Sequence, residues 1–251
     1  PETYYLDVLK RQAVVNPKLR FIFRNETPEG IKETEFYYEN GISDYVTEIA
    51  EDKALTSVQF LSGERRGKDR SDKPEYKVLL NCAFCFSSSI SRLEYYHNSS
   101  WLEYGGSPDK AVRSAFVSAI DAYLKQNNKY NKNEGRISFQ DVSDSLILVT
   151  SCFSTYTSYE NQTKKAITNK FIQEAMTEFL RSGLEIYFIE NKAEADKIAE
   201  QILINKRSRE QAEKARAEAE RCFQYSCMLC CQHGFRTPCE HCGIRQAQKA
   251  Q

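Results

Sequence analysis

The residues best suited to chemistry are Gln162, Thr163 and Lys164, which lie in a polar stretch at 157–165 (TSYENQTKK). They place an amide, a hydroxyl and an ammonium in consecutive positions. Several hydrogen-bond donors with one point charge on a short turn suit a phosphate group. A solvated turn has the same composition, so these residues alone leave both interpretations open.

The segments on either side of this loop have clear patterns. An apolar, β-rich run at 145–153 (SLILVTSCF) precedes the loop and predicts a buried strand. Asn169 follows the loop as the predicted N-cap of a long amphipathic helix. The loop is therefore predicted to connect a strand to a helix.

Earlier in the chain, the apolar periodicity predicts further strands and helices. The predicted strands are 19–24, 33–38, 55–62, 76–87 and 92–97, and the predicted helices are 42–49 and 107–127. Residues 64–73 (ERRGKDRSDK) have the composition of a solvated surface loop. The order of the elements predicts an α+β fold with a mixed sheet and helices on one face.

A second long helix is predicted at the C-terminal side, from about 191 to 220. Its apolar stripe ends at Leu203 while helix-forming residues continue, so the distal half should project from the core, facing solvent or a partner. Lys206, Arg207 and Arg209 in this half are candidate contacts for DNA phosphates. A solvated helix with ion pairs four residues apart is the alternative.

Several segments, in a common order, resemble the ATPase (B) subunits of type IIA DNA topoisomerases, the family that includes the B subunits of DNA gyrase and topoisomerase IV. They are NPKLRFIF (16–23), ETEFYYENGISDYV (33–46), GGSPDKAVRSAF (105–116), DVSDSLILVTS (141–151) and the loop at 162–164. In that family the loop reaches from a transducer domain into the neighbouring nucleotide-binding domain. The resemblance implies that Gln162 and Lys164 contact the γ-phosphate of ATP.

The resemblance also implies a ribosomal-S5-domain-2-like transducer fold, followed by the long projecting helix. ATP and Mg²⁺ are the implied cofactors, bound mainly by a domain that precedes Pro1, so no complete catalytic set is assigned here and the chain alone should be inactive. The implied partners are double-stranded DNA, a topoisomerase A subunit and a second B subunit, in a homodimer formed through the ATPase domain. Two positions depart from the family pattern: Ser145 replaces a Gly, and Thr157 replaces a Pro ahead of the loop.

Two alternative functions stay open from the sequence. One is a non-enzymatic interaction module with an S5-like core and a zinc-knuckle tail. The other is a fragment of a mismatch-repair ATPase, whose fold and phosphate-sensing Lys are similar. The Gln-Thr-Lys triplet together with GGSPDKAVRSAF favours the topoisomerases.

Composition narrows the class of protein. The chain has 251 residues with 35 basic and 35 acidic side chains, which argues against a general polyanion binder, so any DNA contact must come from local patches. With no apolar run of about 18 residues and no signal pattern, the chain is expected to be cytoplasmic, without membrane contact. It begins at Pro1 inside a helical pattern, which suggests a fragment.

This reasoning predicts four regions. They are the end of a preceding ATPase domain or a linker helix (1–18), an S5-like transducer domain (19–190), a long helix (191–221) and a Cys-rich tail (222–251). Six of the nine cysteines lie in the tail. The spacing of Cys227, Cys230, Cys239 and Cys242 could close a tetrahedral zinc site. Because nothing of the family's acidic cleavage-domain motif follows the helix, we expect a non-native or disordered tail without bound metal, with zinc as the alternative.

Overall fold

A computed structural model describes residues 2–28 and 30–232, and for 222–232 it describes the helical backbone alone. The chain divides into two compact units, Pro1–Asn205 and Lys206–Gln251. The helices are α1 Glu2–Val15, α2 Ile42–Ala50, α3 Ser107–Gln126, α4 Phe139–Ser143, α5 Lys170–Glu190 and α6 Lys192–Gln232. The strands are β1 Arg20–Thr27, β2 Gly30–Tyr37, β3 Gln59–Gly67, β4 Tyr76–Phe86, β5 Arg92–His97, β6 Ser100–Trp101, β7 Gly105–Gly106, β8 Leu146–Ser154 and β9 Ala166–Ile167.

The main sheet of the first unit is mixed and has the strand order β3-β4-β8-β5-β6. Strand β4 pairs antiparallel with both β3 and β8, whereas β5 runs parallel to β8. The central strand β8 is buried from Leu146 to Cys152, as expected of a strand covered on both faces. The predicted strand at 145–153 and the predicted α+β class with a mixed sheet are confirmed.

Apolar cores lie on both faces of this sheet. Leu80 and Cys82 of β4 belong to the core that α3 and α5 cover. Cys85 of the same strand belongs to a second core, together with Val46 of α2 and Ile147 of β8. Successive side chains of a strand alternate between faces, so β4 contributes to both cores. The helix predicted at 42–49 is present as α2, but it covers the opposite face of the sheet, so the prediction that all helices lie on one face is wrong.

Strand β3 lies further along the chain than predicted. It covers Gln59–Gly67 instead of 55–62, so 64–67 of the predicted surface loop belong to a strand. It pairs with β4 from Gln59 opposite Phe84 to Gly67 opposite Tyr76. Strand β3 lies at the edge of the sheet, and its outer edge faces solvent and pairs with no other strand of the sheet among the residues that the structure describes. An edge strand of this kind tolerates charged side chains. The charges of this segment therefore gave it the composition of a loop.

Helix α6 confirms the predicted long C-terminal helix and continues beyond residue 220. Its 41 residues correspond to a length of about 60 Å at 1.5 Å per residue. The buried apolar side chains of its first half are Ala195, Ile198, Ala199, Ile202 and Leu203. Residues 211–221 are exposed except for the half-buried Ala217.

Candidate functional site

The candidate phosphate loop lies between β8 and β9 and is closed by a short backbone stem. The amide of Thr168 donates to the carbonyl of Ser158 at 2.8 Å, and the amide of Glu160 donates to the carbonyl of Ala166 at 3.0 Å. Tyr159 and Ile167 form an antiparallel bridge between these two bonds. The stem leaves only 161–165 to form the tip.

The tip is organised by Asn161. Its side-chain oxygen accepts from the amide of Thr163 at 3.1 Å and also from the hydroxyl of Thr163. Its carbonyl accepts from the amide of Lys164 at 3.2 Å, which closes a turn. Because the Thr163 hydroxyl is used inside the turn, Gln162 and Lys164 are the side chains of the triplet left to meet a ligand. Both are exposed.

Lys164 has an unusual backbone conformation. Its φ is 57°, in the left-handed region that costs a non-glycine residue about 1 kcal/mol or more. Its ammonium lies 5.6 Å from the centroid of the Tyr159 ring, in the stem below. An exposed cation–π contact of this kind contributes only about 0.5–1 kcal/mol, so a phosphate could readily replace it.

Lys165 is next in sequence but is engaged elsewhere. Its ammonium pairs with Glu103 and lies 5.5 Å from the centroid of the Tyr104 ring. Its carbonyl accepts from the amide of Tyr104 at 3.0 Å. The hydrogen bond to Glu103 raises the pKa of Lys165. Lys165 thus fastens the tip to the segment before β7, whereas Lys164 lies over the stem.

The far side of the loop is held against two glycines. Strand β9 pairs parallel with β7, with Ala166 opposite Gly105 and Ile167 opposite Gly106. The φ of Gly106 is 76°, and a Cβ there would lie 2.2 Å from the carbonyl oxygen of Ile167. The hydroxyl of Ser107, the first residue of α3, donates to the same oxygen at 3.2 Å. The Gly-Gly-Ser of the GGSPDKAVRSAF segment therefore fixes the place where the loop ends.

Asn169 lies at the N-cap position of α5, as predicted, but its side chain makes no capping bond. Its side-chain oxygen accepts from the amide of Ser158 at 2.8 Å, and its NH₂ donates to Asp69 at 2.9 Å. Asp69 caps the helix instead, since its other oxygen accepts from the amide of Phe171 at 2.8 Å. Asn169 thus ties the loop to the first turn of α5.

Sequence reasoning did not identify His97, which lies where the loop begins. The side chain is buried at the end of β5. Its Nε2 lies 2.8 Å from the hydroxyl of Thr157 and 3.3 Å from that of Ser154. Its Nδ1 has no hydrogen-bond partner among the residues that the structure describes.

This burial predicts a pH-dependent stability. Burial lowers the pKa of His97 from 6.5 to about 4. Between these two values the unfolded chain binds a proton that the folded chain does not, so stability should fall as the pH drops through this window. The slope should be at most about 1.4 kcal/mol per pH unit. Unfolding free energies measured from pH 4.5 to 7.5 should show a shallower dependence for His97→Gln, which cannot titrate, and equal slopes would contradict the prediction.

The three basic residues proposed to contact DNA differ in solvent exposure. Lys206 is fully buried and its Nζ lies 2.8 Å from the carboxylate of Glu210, so we withdraw it as a DNA contact. Arg209 forms an ion pair with Glu213 at 2.9 Å and is partly exposed. Arg207 is also partly exposed and has interactions of its own. Ion pairs four residues apart, the alternative drawn from the sequence, therefore occur here.

Neither a metal-binding group nor a membrane-spanning helix is found among the residues that the structure describes. Among the residues whose side chains the structure describes, 2–28 and 30–221, there is no group of three or more His, Cys, Asp or Glu side chains that could hold a metal ion. The proposed zinc ligands Cys227, Cys230, Cys239 and Cys242 have side chains outside the described part. None of the helices described is both long enough and apolar enough to cross a bilayer.

Solved structures share this fold. The 43K ATPase domain of Thermus thermophilus gyrase B, solved with an aminocoumarin, superposes with a TM-score of 0.67 at 22% identity, over 86% of this chain and 56% of that one. The ATP-binding domain of Francisella tularensis topoisomerase IV gives a TM-score of 0.60 at 21% identity, over 83% and 54%. The chain thus shares its fold with a little over half of each of these two structures.

Sequence comparison gives the family. The protein-family model described as DNA gyrase B matches residues 41–218, well over half of the chain, so the chain belongs to this family. The DNA gyrase B protein of Mycoplasmoides gallisepticum is 27% identical over 88% of this chain and 34% of its own length. That of Metamycoplasma arthritidis is 29% identical over 86% and 33%. The chain spans about a third of the length of these relatives.

The family confirms the resemblance drawn from the ordered segments, and the loop at 162–164 lies inside the matched region. The comparisons do not favour the interaction module or the mismatch-repair ATPase. The roles of Gln162 and Lys164 stay predictions.

Proposed function

We propose that the chain is the transducer part of the B subunit of an ATP-dependent type II topoisomerase. Residues 19–190 form the transducer domain and 191–221 the helix that follows it. In the full-length protein, Lys164 and Gln162 contact the γ-phosphate of ATP and so couple nucleotide state to DNA strand passage. The other partners are Mg²⁺, bound mainly by another domain, double-stranded DNA, a topoisomerase A subunit and a second B subunit.

The observation that carries this proposal is the tip of the loop. It holds the exposed ammonium of Lys164, at φ 57°, two residues from the exposed amide of Gln162. The amides of Thr163 and Lys164 and the Thr163 hydroxyl already donate to Asn161 inside the turn. Left-handed backbone at a non-glycine position is typical of sites where geometry serves a ligand. An open tip, as opposed to a closed pocket, fits a contact made to a nucleotide held by a separate domain.

A contact at the tip can act on the rest of the first unit. Asn169 joins the stem to the start of α5, and α5 packs against α3 and is followed directly by α6. A phosphate that binds the tip in one nucleotide state only would favour one position of these elements. Differential contact of this kind is what allows a ligand to shift a conformational equilibrium.

DNA contact is proposed for Arg207 and Arg209 of α6, both partly exposed. Arg209 would have to exchange its Glu213 partner for a phosphate, as in any displacement of an exposed ion pair. Such pairs contribute only about 0–1 kcal/mol, so the exchange is feasible. The contact would be independent of DNA sequence and sensitive to salt.

The test is Lys164→Ala in the full-length subunit. A charge-assisted hydrogen bond contributes about 1.5–3 kcal/mol, so ATP turnover and strand passage should fall roughly ten- to a hundredfold. Folding should be unchanged, because the side chain is exposed and alanine meets the same backbone strain as lysine. Steady-state ATPase and supercoiling assays measure the loss, and circular dichroism checks the fold.

Two variants act as controls. Lys164→Arg should restore activity only in part, since a planar fork does not replace a compact charge. Lys165→Ala removes an exposed ion pair with Glu103 and should have a modest effect. Wild-type turnover of Lys164→Ala, or greater damage from Lys165→Ala, would contradict the assignment.

A further inference from the structure

We propose that His97 and Thr157 are positioning residues for the phosphate loop: their hydrogen bond fixes where the loop begins and so places Lys164 for its contact. The inference rests on the proposed function of Lys164. It adds two residues, from different elements, that do not themselves touch the nucleotide.

The pair lies at the point where the sheet ends and the loop starts. His97 is the last residue of β5 and lies opposite Cys152 of the parallel neighbour β8. After it, Asn98 and Ser99 have φ values of 47° and 61°, the conformation of a tight two-residue hairpin turn into β6. This turn brings Asn98 beside the last residue of β8.

Asn98 continues the pairing of β8 by one residue. Its side-chain oxygen accepts from the amide of Ser154 at 3.0 Å, and its NH₂ donates to the carbonyl of Ser154 at 3.0 Å. The same NH₂ lies 3.3 Å from the hydroxyl of Thr157. The side-chain amide of Asn98 thus satisfies the backbone of Ser154 as a neighbouring strand would, and it also contacts Thr157.

The bonding around His97 favours one tautomer. The hydroxyl of Ser154 donates to the carbonyl of Tyr156 at 2.8 Å, so towards His97 it can only accept. A proton on Nε2 can be donated to the hydroxyl of Thr157, with that of Ser154 close by. A proton on Nδ1 would be buried without an acceptor among the described residues, which is the costlier arrangement. His97 therefore acts as a neutral donor from Nε2.

Thr157 passes this restraint to the stem. It directly precedes Ser158, whose amide and carbonyl are bonded to Asn169 and Thr168. The end of the loop is held by backbone pairing of β9 with β7, whereas Thr157 is held through its side chain. Without the hydrogen bond to His97, residues 155–157 can adopt more conformations. The position of the tip relative to the sheet is then less well defined. Small errors of position are costly when a contact must be made with a particular geometry.

The experiment is Thr157→Val in the full-length subunit, since valine keeps the shape and removes only the hydroxyl. The kcat for ATP should fall about three- to tenfold, the equivalent of one neutral hydrogen bond, while KM changes little because another domain holds the nucleotide. Thr155→Val, the same chemical change at an exposed position of the same segment, should keep the wild-type rate. His97→Gln, which retains a donor, should exceed His97→Leu in kcat.

A double-mutant cycle separates positioning from general stability. If the pair acts through Lys164, adding Thr157→Val to Lys164→Ala should slow turnover no further, whereas a merely structural role would give additive losses. A wild-type kcat for Thr157→Val, or additive losses, overturns this inference and leaves the role of Lys164 standing. A wild-type rate for Lys164→Ala overturns the proposed function itself.

Discussion

Gly106→Ala is expected to destabilise the chain by at least about 3 kcal/mol. Gly106 has φ 76° and ψ −125°, a region almost closed to residues with a side chain. The added Cβ would meet backbone atoms of Ile167 at 2.2 and 2.8 Å, and backbone cannot move aside as a flexible side chain can. The pairing of β7 with β9 would have to open. The midpoint of urea unfolding measures the loss.

Gly135→Ala is the matched control. Nothing lies within 4 Å of a Cβ built on Gly135, and its φ is not positive. This substitution should stay within about 0.5 kcal/mol of the unchanged protein. If the two alanine variants unfold at similar urea concentrations, the close approach of Gly106 to Ile167 is not present in solution.

The parts of the fold that the sequence predicts correctly depend on local patterns. The strand at 145–153 and the helix after Asn169 each have a continuous periodicity, and the loop is the polar segment between them. The segment 64–67 was missed because its pairing with β4 overrides its charged, loop-like composition. The position of α2 on the opposite face depends on which core its apolar side meets, and periodicity carries no such information.

In the candidate site, too, some features follow from local sequence and others depend on the tertiary structure. Gln162 and Lys164 could be chosen from adjacent residue types, but the use of the Thr163 hydroxyl by Asn161 depends on the turn that forms. His97 is 60 positions from Thr157, and they meet only because β5 pairs with β8. A histidine that ends a predicted strand is a weak signal by itself. Long-range strand register is the missing information in this case.

Ile202→Ala is expected to cost about 2–5 kcal/mol, the range for removing a buried Ile side chain without full relaxation. Ile202 and Ile198 of α6 are 0% and 1% exposed and belong to the core that also contains α3 and α5. Ile198→Ala should therefore behave in the same way. Since α6 follows the loop and α5 directly, these variants also show how firmly the first half of the helix is held.

Lys214→Ala in the exposed half of α6 is the control, and its effect should stay within about 0.5 kcal/mol. By sequence alone Glu210 would serve equally well, but it pairs with the buried Lys206 at 2.8 Å, so its removal disturbs a buried charge. We therefore expect Glu210→Ala to cost clearly more than Lys214→Ala. Unfolding free energies from urea titrations should show the largest loss for Ile202→Ala, a smaller loss for Glu210→Ala and the smallest for Lys214→Ala. If Ile202→Ala and Lys214→Ala lower the unfolding free energy equally, then Ile202 is not buried more deeply than Lys214 in solution, and the prediction is wrong.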